Sequence, residues 1–210
     1  GLLYQSGLSM LRWRHVEISG GFLLVAALLF YLDTENLLFW AAAACALHEL
    51  GHGLAIRCLG GRVALLRLTC VGAELKLSAR YPMGYGRQLL AALGGPAANL
   101  LCAGAAVHMA GGGDERAYLF AGLNLALAGF NLLPAAPLDG GRCLWCLLAL
   151  LETEEKAERI VAATSSAVSL ALTLGSLLLT LRGQANLTLL ITALWLLLSP
   201  WTARRGGARA

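Results

Sequence analysis

An all-α polytopic membrane protein, with about six transmembrane helices and a small β-hairpin at the cytoplasmic membrane surface, is the architecture that the sequence predicts. Three observations predict it. The 210 residues are 58% hydrophobic and 13% charged, against roughly 45–50% and 25% in a soluble domain. The apolar residues gather into runs of about 20, the length a helix needs to cross the hydrocarbon core. With alternate loops assigned to opposite faces, every Lys and Arg except Arg116 and Arg182 falls on the side of the two termini, which marks that side as cytoplasmic. A single domain over 1–200 and a basic tail over 201–210 are expected at this length. No basic run is interleaved with aromatics, which argues against nucleic acid as a partner.

The elements follow in chain order. Residues 16–32 form the first predicted span. Arg12 and Arg14 ahead of it would suit a signal peptide, but no small-x-small site follows near Leu32, so the segment is read as a retained span. Asp33–Asn36 is a tight loop, 37–59 is the second span, and Gly60-Gly61 ends it. Leu66-Arg67-Leu68-Thr69 and Glu74-Leu75-Lys76-Leu77-Ser78 alternate apolar and polar residues, the period of a strand. With Val71-Gly72 as the turn, they make the expected hairpin. The third span, 87–110, contains Gly94-Gly95-Pro96-Ala97-Ala98-Asn99, small residues that let helices approach closely in lipid. After a loop at Gly111–Arg116, the fourth span, 117–151, is broken at 134–141, where Pro134, Pro137, Gly140 and Gly141 interrupt the helix. Leu151–Arg159 reads as a charged loop before the fifth (160–181) and sixth (185–198) spans.

Chemistry is concentrated in the second span, at His48-Glu49-Leu50-Gly51-His52. Residues four apart on a helix share a face, so both imidazoles can reach one ion, and Glu49 stands beside it, free to take a proton from water. Buried polar groups without partners cost several kcal/mol each in hydrocarbon, so a metal site is a better account of this trio than chance. A catalytic zinc takes three protein ligands and keeps one position open. His108 lies at the far end of its span, His15 reads as an interfacial anchor, and Glu152, Glu154, Glu155 and Glu158 read as surface charge. Asp139 is the one carboxylate inside a broken intramembrane segment, where irregular backbone survives only if it lines a cavity or is buried in protein. It is the expected third ligand. The six cysteines, Cys45, Cys58, Cys70, Cys102, Cys143 and Cys146, lie mostly in apolar stretches and read as packing residues, including the Cys143-Leu-Trp-Cys146 pair.

On His48-Glu49-Leu-Gly-His52, Gly95-Pro96-Ala-Ala-Asn99 and Asn131-Leu-Leu-Pro134-Ala-Ala-Pro137-Leu138-Asp139-Gly140, the chain resembles the site-2 protease family of intramembrane zinc metalloproteases. Within it, the chain looks most like the compact sporulation branch, which cuts membrane-associated pro-sigma factors. The resemblance implies one Zn2+ held by His48, His52 and Asp139, with Glu49 as general base. It also implies that Asn131, Pro134, Pro137 and Asn99 face the substrate. It further implies a membrane-associated protein substrate such as a pro-sigma factor or other tethered regulator, a membrane inhibitor or presenting protein, and residence in a bacterial inner membrane. The sporulation enzymes carry a nucleotide-sensing C-terminal domain with no counterpart before Ala210, so control by ATP is not implied. The rival expectation is a non-catalytic zinc-binding scaffold that holds membrane clients, and a secondary transporter is disfavoured because no inverted repeat is found.

Overall fold

The structure, a computed structural model, describes residues 10–13, 16–19, 33, 37–69, 72–77 and 82–182. These belong to two compact units, Gly1–Met83 with Ala97–Leu125, and Gly84–Pro96 with Ala126–Ala210.

The first unit carries a four-stranded sheet in the order β1-β2-β3-β4. β1 (Met10–Trp13) and β2 (Val16–Ser19) are antiparallel, β2 runs parallel to β3 (Val63–Thr69), and β3 is antiparallel to β4 (Gly72–Leu77). The two strands expected from alternation thus extend a larger sheet. The first predicted span has to be corrected at its start, because Val16–Ser19 is strand. Val16-Glu17-Ile18-Ser19 alternates with period two inside an apolar run. Its pairing, Val16↔Leu66 to Ile18↔Leu68, is with a partner too distant for local hydropathy to reveal. The remainder of that run (20–32), the sixth expected span (185–198) and the basic tail lie outside the described residues.

Helix α1 (Leu37–Cys58) begins where the Asp33 carboxylate accepts hydrogen bonds from the backbone N–H groups of Leu37 (3.0 Å) and Leu38 (2.7 Å). These are first-turn donors without a helical acceptor, at the positive end of the helix dipole. The helix stops in a paired turn. Gly61 N–H donates to Ile56 C=O and Gly60 N–H to Arg57 C=O, with Gly60 at φ 82°, a conformation that favours glycine. A side chain on Gly61 would overlap Met83 and Ile56. Along α1 the buried residues are Ala44, His48, His52 and Ile56, spaced by four, while Leu50 and Leu54 are 60% and 62% exposed. Polar inside and apolar outside suits a helix whose outer surroundings are lipid.

Helix α2 (Tyr85–Ala110) contributes Ala97–Ala110 to this unit, and helix α3 (Glu115–Asn131) contributes its start. α3 is opened by Asp114, whose carboxylate accepts from Arg116 and Ala117 N–H. Trp40 and Phe120 pack with ring centroids 5.6 Å apart.

The second unit holds the start of α2, the end of α3, and helices α4 (Asp139–Leu151) and α5 (Glu154–Leu181). The fourth predicted span is therefore two helices separated by a turn. In that turn Leu138 N–H donates to Ala135 C=O, the Ala136–Pro137 bond is cis, and Ala136 N–H donates to Ser165 Oγ, which itself donates to Val161 C=O. Ala135 and Leu138 are buried against Phe130, Leu133, Val168 and Leu172. At the start of α2, Tyr85 donates to Glu154 and sits edge-on to Trp145.

The charged loop expected at Leu151–Arg159 shrinks to Glu152-Thr153, because helix α5 starts at Glu154. The charges belong to its first turns. Thr153 is the N-cap, its hydroxyl accepting from Lys156 N–H, with Glu154 and Glu155 at the positive end of the helix dipole. The Lys156–Glu152 ion pair is exposed and contributes little. Thr153→Ala is expected to cost about 1 kcal/mol, read as a lowered thermal unfolding midpoint in detergent without loss of metal.

Three described helices, Leu37–Cys58, Tyr85–Ala110 and Glu154–Leu181, are long and apolar enough to cross a membrane.

Candidate metal centre

The centre is built first from α1. Four-residue spacing brings His48 and His52 to one buried line, at 5% and 8% exposure. Their rings meet edge to face at 85°, with Nε2 of one 3.1 Å from Nε2 of the other. Two nitrogen ligands at roughly 2.0–2.1 Å from a tetrahedral zinc stand about 3.3–3.4 Å apart, so these imidazoles converge at the separation a shared ion requires. Glu49, half-buried, follows His48 on the same turn.

Asp139 is the first residue of α4. Its position depends on the turn before it, because α4 begins with Gly140 and Gly141 packed directly onto backbone. A Cβ on Gly140 would overlap the carbonyls of Leu132 and Leu133, and one on Gly141 would lie 2.5 Å from the Ala135 carbonyl carbon. The candidate ligand atoms of His48, His52 and Asp139 all lie within 4.8 Å of one another, near enough for one ion. Two imidazoles and a carboxylate are a donor set suited to zinc.

The remaining expected site residues are placed as follows. Asn131 is half-buried, its amide N–H donating back to Leu127 C=O at 3.0 Å. Pro134 and Pro137 are exposed in the turn. Asn99, expected to face the substrate, is 0% exposed, and its side chain bonds His48 Nδ1, Ala44 C=O and Asn124. Asn124 is a residue that sequence reasoning missed. It is also 0% exposed, and the available signal was an amide in the middle of an apolar helix, Gly122-Leu-Asn124-Leu-Ala126, which must find partners there.

Comparison with known proteins agrees with this chemistry. The model of peptidase family M50 matches residues 106–174. Zinc metalloprotease MJ0392 of Methanocaldococcus jannaschii is 28% identical over 77% of this chain and 49% of its own length. In Synechocystis, sll0528, whose name includes the words zinc metalloprotease, is 33% identical over 62% of this chain and 34% of its own. The chain thus spans about half or less of these curated relatives. A solved structure, the site-2 protease from M. jannaschii, shares the fold with a TM-score of 0.67 at 24% identity, over 91% of this chain and 92% of that one.

Proposed function

From the chain's kinship with the site-2 proteases of peptidase family M50, we propose that it is a zinc-dependent intramembrane endopeptidase. It hydrolyses a peptide bond in or next to the membrane segment of a membrane-associated protein. The observation that carries this reading is the His48–His52–Asp139 group, with its ligand atoms within 4.8 Å and Glu49 adjoining His48.

His48 and His52 from α1 and Asp139 from α4 would hold the ion. When bound, zinc supplies an acidified water near neutral pH and a Lewis acid for the scissile carbonyl. Glu49, beside His48, would serve as the chain's base, its carboxylate taking a proton from the attacking water and passing it to the leaving amide nitrogen. Asn131, Pro134 and Pro137 line the substrate's path. The substrate is unwound at the cut, since a helical carbonyl is already hydrogen-bonded, and the edge of the sheet at β4 offers a strand for it to pair with.

The three long apolar helices support a polytopic membrane protein of about six spans. Lys and Arg placement sets both termini in the cytoplasm. The preferred substrates are a pro-sigma factor or another tethered regulator, presented or withheld by a membrane partner.

The test is metal content together with cleavage. The purified parent is expected to hold about one zinc per chain. His48→Ala, His52→Ala and Asp139→Ala should each weaken binding by more than the 10–100-fold that losing an outer-shell partner costs. Cleavage of single-span substrates in vesicles should stop with a chelator and resume with zinc. A folded parent without zinc, or cleavage indifferent to the chelator, would overturn the reading.

A further inference from the structure

We propose that Asn99 and Asn124 form a one-way amide relay that fixes the tautomer of His48, making them positioning residues for the metal. The inference rests on the reading of His48 as a zinc ligand, but its direction follows from geometry alone. Asn124 Nδ2 donates to Phe120 C=O at 2.8 Å, and Asn99 Nδ2 donates to Ala44 C=O at 3.1 Å. A backbone carbonyl only accepts, so at these two places the amide nitrogen must face the carbonyl. Neither amide can then flip.

With Asn124 so fixed, its Oδ1 points at Asn99 and accepts a second hydrogen bond from Asn99 Nδ2 at 2.7 Å. Both hydrogens of Asn99 are thereby used, and its Oδ1 is the atom left to face His48 Nδ1. An amide oxygen accepts, so Nδ1 must be the protonated nitrogen of His48. The lone pair is left on Nε2, the atom that converges on His52 Nε2. A metal-ligating imidazole needs this division of roles between its nitrogens. The relay meets it with neutral groups, whereas the more usual carboxylate partner would place a charge in the apolar interior.

Histidine tautomers are read by long-range 1H–15N NMR of the metal-free protein labelled at histidine, with the His48 signal identified by its loss in His48→Gln. The parent is expected to show His48 in the Nδ1–H form. Asn99→Leu removes the acceptor and is expected to mix the tautomers and weaken zinc binding by about 10–100-fold. Adding Asn124→Leu to it should weaken binding no further, because Asn124 acts through Asn99. Asn124→Asp is expected to keep the Nδ1–H form and near-parental affinity, since a protonated carboxyl there donates once, to Phe120 C=O, and accepts once, from Asn99.

An Nε2–H tautomer in the parent would overturn the relay. So would a folded Asn99→Leu with the parent's tautomer and zinc affinity, or fully additive losses in the double variant. If Asn99→Leu does not fold, the parent's tautomer and the Asn124→Asp variant decide the matter. Because the tautomer is read without metal, a parent that binds no zinc would refute the protease reading and leave this measurement standing.

Discussion

Glu49→Gln is expected to reduce cleavage of a membrane-tethered substrate by roughly 10²–10⁴-fold, the range for a positioned general base, while zinc content stays at the parent's level. Glutamine has nearly the volume of glutamate, and its amide can still accept a hydrogen bond from water. It cannot take the proton away. Glu49 lies outside the group formed by His48, His52 and Asp139, so the metal should not register the change. The split between unchanged zinc and lost turnover identifies a base. Loss of both would make Glu49 a ligand or a structural carboxylate, and loss of neither would leave the proton with some other group. A scaffold that only holds clients gives a third pattern, with no cleavage by the parent and client capture that survives the substitution.

Gly140→Ala and Gly141→Ala should be severe although each adds a single methyl. The new Cβ meets backbone, at Leu132 and Leu133 in the first case and at Ala135 in the second. Backbone cannot swing away as a flexible side chain would, so the cost is placed at the upper end of the 1–3 kcal/mol typical of overpacking, or above it. Against a total stability of about 5–15 kcal/mol, that is a large share, and it falls on the turn that delivers Asp139. Both variants are expected to unfold at markedly lower temperature and to lose zinc. Gly122→Ala and Gly129→Ala, at α3 positions where an added Cβ has nothing within 4 Å, are the controls. They should be neutral or gain up to about 1 kcal/mol, because alanine is the better helix former. If Gly140→Ala kept the parent's stability and zinc, the close approach of α4 to the turn would be refuted.

What could be read from the sequence was what shows within a few residues. His48, Glu49 and His52 are polar groups in an apolar helix at helical spacing, and Pro134, Pro137, Gly140 and Gly141 announce a break around Asp139. Both signals are local. The start of α5 was misread because Glu154, Glu155 and Lys156 look like a loop when charge is weighed alone, although Thr153 ahead of two acids is a capping signature. Val16–Ser19 was misread because its strand partner lies in β3, across the whole of α1, and hydropathy cannot see a pairing at that distance. That the Asn99 amide reaches His48, Ala44 and Asn124 depends on how α2 and α3 pack against α1 within one unit, which no periodicity encodes.

The bond from Asn99 to the Ala44 carbonyl has a mechanical side. In an α-helix that carbonyl also accepts the backbone N–H of the fourth residue on, which is His48. Asn99 therefore grips the same turn of α1 twice, once at the imidazole and once at the carbonyl that anchors the histidine's own backbone. Screwing or sliding α1 by one turn, about 5.4 Å, would break both grips together and strand buried amides in a medium without water to replace them. The helix bearing the two histidines is thus a fixed datum relative to Asn99 and Asn124. Asn99 and Asn124 tie α2 and α3 to the turn of α1 that carries His48.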